Sequence, residues 1–293
     1  MLTLMPEHCS ELHLSEAQLG VWLAERAGLS RPGAYQWAEY LVLDGDVDPG
    51  LLAAAVTTAA AACEAVNVRI VEMTGSSPVQ RLLPDPEHTV DVVDLREAPD
   101  PDAAAQEWMR TEMTRAGGGD TGPLFLGAVL RVADERSLLF HRVHHIALDG
   151  AGMALFAERV AEIYTCLYDG RAVPESGWAG LHPLLRAEAA YQEAAARAAD
   201  RDWWLERLAG RRDFLSLGTH AAPAADRSLR LTRVLSAEEF AGLRDGAGRL
   251  GHRWTRLLTA ATAVYLHAVT GSRDVVLSLP VAVRPHSPAP CRR

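Results

Sequence analysis

The sequence contains no lysine, and its four cysteines include no closely spaced pair. Cys9, Cys63, Cys166 and Cys291 stand far apart, so neither a zinc ribbon nor a disulfide framework is predicted. Long apolar runs are also missing, because no stretch approaches the roughly 20 residues that a membrane span needs. The first residues, MLTLMPEHCSE, show no cationic segment followed by an apolar core, so no signal peptide is predicted.

The charge balance is acidic, with a formal net charge of −9 at pH 7. Such a balance argues against a surface for nucleic acid or for an anionic membrane. The composition is 48% hydrophobic and 23% charged, which is typical of a globular protein. We therefore expect a cytoplasmic protein that binds neither nucleic acid nor a membrane.

Helical and strand patterns alternate along the chain. Ser15 is a predicted N-cap with Gln18 as its capping-box partner, and Asp48-Pro49 predicts the start of an alanine-rich helix. Other helices are predicted over 102–116, after Gly150, over 183–210 (as one helix or two), 236–250 and 255–271. Strands are predicted over 35–43, 66–72, 89–95, 123–133, 136–145, 228–235 and 274–283. The interleaving predicts two α/β lobes joined by a helical stretch.

Residues 141–150, HRVHHIALDG, place three histidines and an aspartate between an apolar strand and a glycine. In a strand, successive side chains point to opposite faces. His141 and His145 therefore share one face and His144 points the other way, so the adjacent pair cannot serve one site from the strand alone. Asp149 is positioned to bond a backbone N–H or an arginine and to hold the turn before the next helix.

Three interpretations of this stretch remain open on spacing alone. His145 and Asp149 could be metal ligands, but no third ligand is near and HExxH is absent. The groups could instead be satisfied polar side chains of a strand-to-helix turn. In the third interpretation His145 is a base or positioning group that faces a cleft, and Asp149 is structural.

The segment HHIALDG has the form HHxxxDG, which resembles the active-site motif of condensation domains in nonribosomal peptide synthetases. These domains belong to the chloramphenicol acetyltransferase-like acyltransferases. Ser15-Glu16-Ala17-Gln18 followed by Trp22 resembles the opening motif of that family. Residues 280–284, PVAVR, resemble the start of its P-V-x-G-R motif, with Val283 where glycine is usual. The segment AQLGVWLAE is most similar to the corresponding segment of condensation domains of siderophore-type synthetases.

The resemblance implies an α/β fold, an α+β sandwich of two chloramphenicol acetyltransferase-like lobes. It implies an N-terminal lobe over 1–171 with the HHxxxDG motif and a helical crossover over 172–215. A partial C-terminal lobe over 216–284 and an irregular tail over 285–293 would follow. Because RPHSPAPCRR does not resemble the family's continuation, the second lobe is expected to be incomplete.

The implied activity is amide formation, in which an acceptor amine attacks a donor thioester. The substrates would arrive on phosphopantetheine arms of peptidyl or aryl carrier proteins, with other synthetase modules as partners. No directly bound cofactor and no metal are expected. Two alternatives stay open, a non-catalytic fragment that binds carrier proteins and a related acyltransferase that uses coenzyme A thioesters. Ala151-Gly152 argues against an epimerase-type relative, where Ser-Trp is usual.

The resemblance also assigns roles to five residues. His145 would orient or deprotonate the amine, or stabilise the tetrahedral intermediate, with His144 as a supporting residue behind it. Asp149 would be structural and would pair with an arginine, for which Arg284 is the candidate. Gly150 would allow a tight entry into the following helix. His141 is expected to be a buried structural residue.

Overall fold

The computed structural model describes residues 11–27, 33–115, 123–210, 217 and 231–279. Contacts between Cα atoms divide the chain into two compact units. The first unit extends to Ala194, and the second begins at Ala195.

The first unit mixes strands and helices. Its strands are β1 (Glu11–His13), β2 (Gln36–Asp44), β3 (Val68–Val71), β4 (Val79–Leu82), β5 (Val90–Asp94), β6 (Phe125–Ala133) and β7 (Arg136–His144). Its helices are α1 (Glu16–Arg26), α2 (Pro49–Ala62), α3 (Pro101–Arg115), α4 (Gly150–Tyr168) and α5 (Leu181–Glu193).

The strands form two sheets. The larger sheet has the order β2-β7-β6-β5, with β7 antiparallel to both of its neighbours and β5 parallel to β6. The smaller sheet is antiparallel and has the order β1-β4-β3. In the larger sheet Gln36 lies opposite His144, so the start of β2 flanks the end of β7. This register brings Trp37 beside the point where the chain leaves the sheet.

Local sequence signals explain where the helices begin. The Oγ of Ser15 accepts a hydrogen bond from the backbone N–H of Gln18, and the Oε1 of Gln18 accepts one from the backbone N–H of Ser15. The predicted capping box of α1 is therefore confirmed. Asp48 accepts hydrogen bonds from the N–H groups of Gly50 and Leu51 at the start of α2. Both caps satisfy donors that a helix leaves unpaired at its first turn.

The two faces of β7 pack into different apolar clusters. Leu139 and Val143 join one buried cluster with side chains of α2 and α4, including Phe156. Leu138 and Phe140 join another cluster. The predicted alternation of side chains along this strand is confirmed, and burial on both faces makes β7 the central strand of the unit.

Several elements differ from the sequence-based expectation. The short strands β1 and β4 were not predicted. The stretch over 183–210, predicted as one helix or two, forms two helices as the second alternative has it, because Ala194 takes an extended conformation (ψ 144°) between them. Residues 231–235 and 274–279, the described parts of two predicted strands, have no regular secondary structure. An alternating pattern becomes a strand only where a neighbouring strand pairs with its backbone groups.

The second unit contains the helices α6 (Ala195–Arg207), α7 (Ala237–Arg249) and α8 (Trp254–Thr270). Ser236 and Glu239 form a capping box at the start of α7. Helix α8 is followed by Gly271 at φ 72°, a left-handed conformation that glycine adopts without strain. Across both units, none of the helices in the described ranges combines the length and apolar character needed to span a bilayer.

Candidate functional site

His145 follows the last residue of β7 and is exposed. Its backbone N–H donates to the carbonyl oxygen of Tyr35 at 2.8 Å, which ties the turn to the residue just before β2. The imidazole stacks on the indole of Trp37, with ring centroids 6.0 Å apart and an interplanar angle of 22°. One ring face is therefore supported by an aromatic side chain, while the backbone is fixed by the sheet. Such an arrangement presents ring nitrogens at the surface of the first unit.

His144 points the other way and is fully buried. Its Nδ1 accepts a hydrogen bond from the backbone N–H of Ile146 at 3.1 Å. Its Nε2 lies 3.1 Å from the Oε1 of Glu25 on α1. The two adjacent histidines are thus separated by the sheet, with His145 accessible and His144 engaged in the interior.

Helix α1 contacts the turn after β7 through a second side chain. The Nε2 of Gln18 donates to the carbonyl oxygen of Ile146 at 3.1 Å. The same amide donates to the Oε1 of buried Gln80 on β4, also at 3.1 Å. The opening motif that contains Gln18 therefore acts structurally, since it joins α1, the smaller sheet and the turn beside His145.

Asp149 caps helix α4. Its Oδ1 accepts a hydrogen bond from the backbone N–H of Gly152 at 2.7 Å, and the side chain is exposed. This bond satisfies the first turn of α4 and fixes the direction in which the helix leaves the turn. The arginine predicted to pair with Asp149, Arg284, lies outside the described residues.

Gly150 does not have the steric role expected of it. Its φ is not positive, and a Cβ built there meets no atom of the described residues within 4 Å. The close approach falls at Gly152, where a Cβ would lie 3.0 Å from the Cδ2 of Leu148. The position at the start of α4 that leaves little room for a side chain is therefore Gly152, the third residue of the helix.

His141 lies on the same strand face as Leu139 and Val143 but deep in the core. Its ring centroid is 5.7 Å from that of Phe125 and 5.5 Å from that of Phe156. Neither ring nitrogen has a hydrogen-bond partner among the described residues. Burial lowers the pKa of His141 to about 4, because the charged imidazolium would lose its hydration. His141 is therefore a buried neutral residue, as expected from the sequence.

Metal ligation has no geometric basis in the part of the chain that the structure describes. No three side chains of His, Cys, Asp or Glu come close enough there to hold an ion. His145 and Asp149 instead make the separate contacts given above.

Two residues of this region, Glu25 and Trp37, were not predicted from the sequence. Glu25 lies 119 residues before His144 in the chain, so no local pattern connects them. The helical spacing of Gln18, Trp22 and Glu25 could have indicated it, because these residues share one face of α1. Trp37 became recognisable only when the pairing of β2 with β7 placed it beside the end of the sheet.

Comparisons with known proteins give a consistent result. A family model described as the condensation domain matches residues 9–292. An isonitrile lipopeptide synthase from Streptomyces coeruleorubidus is 39% identical over 271 residues, which cover 92% of this chain and 18% of that protein. A dimodular nonribosomal peptide synthase from Bacillus subtilis is 33% identical over 272 residues, covering 92% of this chain and 11% of that protein.

A solved structure is similar as well. The starter condensation domain of rhizomide synthetase, in a substituted form bound to C8-CoA, aligns with a TM-score of 0.83 and 34% identity. The alignment covers 93% of this chain and 61% of that chain. The present chain thus spans less than a fifth of the two curated relatives and about three fifths of the solved domain.

Proposed function

Because the chain belongs to the condensation domain family, we propose that it forms an amide bond between an acyl thioester and an amine in nonribosomal peptide synthesis. The relatives are multidomain synthetases, and condensation domains are their amide-forming acyltransferases. The single observation that supports His145 as the reacting residue is its placement: the side chain is exposed at the end of β7 and stacks on Trp37.

The fold supports this proposal. The mixed helix-and-sheet architecture expected from the sequence is that of the condensation domain family. The division into a first lobe over 1–171, a crossover over 172–215, a partial second lobe over 216–284 and a tail over 285–293 stays a prediction, as does the cytoplasmic location.

The proposed reaction requires one proton to move. The amine nitrogen of the acceptor attacks the carbonyl carbon of the donor thioester, and a C–N bond forms while the C–S bond breaks. The proton lost by the amine ends on the thiolate that leaves. A ring nitrogen of His145 is suited to accept that proton, or to hydrogen-bond the amine and the tetrahedral intermediate, because the ring is accessible and its backbone is fixed.

The neighbouring residues would act by holding the turn. His144 is buried behind His145, and Asp149 caps α4. The pairing of Asp149 with Arg284 is retained as a prediction.

The partners are part of the proposal. We infer that both substrates arrive on the phosphopantetheine arms of carrier proteins, and that other synthetase modules supply those carriers. The arm belongs to the substrate, so no bound cofactor is needed. Support comes from the multidomain nature of the relatives.

One observation favours a second candidate. The solved starter condensation domain is bound to C8-CoA, a coenzyme A thioester. A donor on coenzyme A would need no donor carrier protein, so this chain is also a candidate for an acyltransferase that takes acyl groups from coenzyme A.

The test is reconstitution of the purified chain with an octanoyl donor on either a carrier protein or coenzyme A, and with leucine on an acceptor carrier. Mass spectrometry of the acceptor arm would measure the amide. Amide from the carrier-bound donor supports the first proposal, and amide from the coenzyme A thioester alone supports the second. Binding of the acylated carrier without amide from either donor would overturn both proposals and favour a non-catalytic binding fragment. A wider panel of acyl and amino acid substrates guards against a simple mismatch in specificity.

A further inference from the structure

The hydrogen bonds of His144 fix the position of its ring proton. The backbone N–H of Ile146 can only donate, so the Nδ1 of His144, 3.1 Å away, must accept and carries no hydrogen. In a neutral imidazole the proton then lies on Nε2. That N–H faces the Oε1 of Glu25 at 3.1 Å, where a carboxylate oxygen accepts it.

Glu25 is placed for this contact by helix α1. It lies seven residues after Gln18, which returns it to the same face of the helix. Gln18 donates to the carbonyl oxygen of Ile146, and Glu25 faces the ring of His144. One helix face therefore holds the turn at two points, on either side of His145.

We propose that Glu25 is a positioning residue for the reaction: it keeps His144 in the Nε2–H form, and His144 in turn holds the N–H of Ile146 and so fixes the turn that presents His145. The inference rests on the proposed function, because it assigns Glu25 a role in that reaction. Glu25 acts through His144 and does not itself touch His145 in the contacts described above.

Glu25 can influence Ile146 through His144 because a neutral imidazole has one nitrogen that donates a hydrogen bond and one that accepts. If the ring proton moved to Nδ1, that nitrogen would face the N–H of Ile146 with a second donor, and their hydrogen bond would be lost. Both groups are buried, so neither finds a ready replacement in water. Separating the two donors requires movement of the His144 ring or of Ile146, and His145 is the immediate chain neighbour of both.

The side chain of Glu25 is suited to this role by exposure as well as by distance. It is 20% exposed, whereas the ring of His144 is 0% exposed. The carboxylate thus keeps some hydration while one oxygen turns inward to the ring. A glutamine retains such an oxygen and an alanine does not, so the two substitutions separate the acceptor from the rest of the side chain.

The experiment is nitrogen NMR of the full chain with labelled histidine, on the wild type, Glu25→Ala and Glu25→Gln. We expect the wild-type ring of His144 to be protonated at Nε2, with Nδ1 hydrogen-bonded to the N–H of Ile146. Glu25→Ala should add the Nδ1–H form or abolish the Nδ1 hydrogen bond. Glu25→Gln should keep the wild-type pattern, since its amide oxygen also accepts.

Glu72→Ala is the matched control. The Glu72 carboxylate also contacts α1, through Arg26 at 2.9 Å, but this ion pair is exposed and does not include a histidine. The control should leave the ring signals of His144 and the rate of amide formation at the wild-type level. Glu25→Ala should lower kcat on the order of 100-fold with a smaller change in KM, as a misplaced catalytic group does. Glu25→Gln should restore most of that loss.

Two results would overturn the inference. One is a wild-type His144 protonated at Nδ1; the other is a Glu25→Ala chain whose His144 signals are unchanged, whatever its rate. If Glu25→Ala does not fold, the wild-type spectrum decides alone, with the Nε2–H form in support and the Nδ1–H form against. If the wild type forms no amide with any donor, the proposed function fails, but the NMR still decides the state of His144.

Discussion

At the scale of single residues, two neighbouring histidines have different environments because a strand alternates its side chains. His144 is the last residue of β7 and faces the interior, where both ring nitrogens have partners. His145 is exposed and is held by its backbone and by Trp37. The buried ring fixes the chain, and the exposed ring is available to a substrate. In the proposed reaction, a buried structural histidine would hold the turn that presents the exposed, reactive one.

His141 gives a prediction for stability against pH. Its pKa is lowered to about 4 in the folded chain by burial, whereas an unfolded imidazole has a pKa of about 6.5. The unfolded chain therefore binds a proton first as the pH falls, and stability is lost from about pH 6.5 down to about pH 4. Above that range the residue has no such effect.

The measurement is chemical denaturation of the wild type and of His141→Leu at pH 7 and pH 5. Between pH 7 and pH 5, the free energy of unfolding of the wild type should fall by on the order of 2 kcal/mol more than that of the variant. His88 also has a pKa lowered by burial, and its ring lies edge-on to Phe125, so some pH dependence should remain in the variant. Equal losses in both proteins would show that His141 is charged or solvated in the folded chain.

At the scale of elements, the packing of α2 on the sheet depends on a small residue in β6. A Cβ on Gly127 would lie 2.9 Å from the Cγ1 of Val56, a β-branched side chain of α2 with little freedom to move. Gly127→Ala should therefore cost about 1–3 kcal/mol through overpacking. The midpoint of thermal unfolding should fall accordingly.

Gly20→Ala is the matched control, and we expect it to raise stability where Gly127→Ala lowers it. Gly20 lies on an exposed position of α1, and a Cβ there meets nothing within 4 Å. Alanine should stabilise the helix by up to about 1 kcal/mol. Equal thermal shifts for the two variants would contradict the close approach of α2 to β6.

The elements also show what the sequence could and could not predict. Helices α1 and α2 have caps within four residues, and β7 contains a short apolar run typical of a strand buried on both faces, so local sequence was enough for them. Strands β1 and β4 have only three and four residues, and their pairing with each other depends on residues about 70 apart. The contact of Glu25 with His144 depends on packing in the same way.

At the scale of the whole molecule, the described apolar core lies in the first unit. All three clusters of buried apolar side chains lie before Ala194, whereas Ala247 is the buried apolar residue in the described part of the second unit. The turn with His145 is therefore built on the better-packed part of the chain. A site supported by rigid elements is held more accurately than one on a free loop.

The central claim is that His145 carries amide formation, and one comparison tests it most directly. The rate of amide formation should be measured for the wild type, His145→Ala and His182→Ala, with circular dichroism as the check on folding. His182 is an exposed histidine of α5 that makes none of the contacts of the turn given above, so its substitution should leave the rate unchanged.

We expect His145→Ala to lower kcat/KM by about 10²- to 10⁴-fold, the range of a positioned acid–base group, with an unchanged spectrum. A folded His145→Ala chain that forms the amide at the wild-type rate would contradict the account.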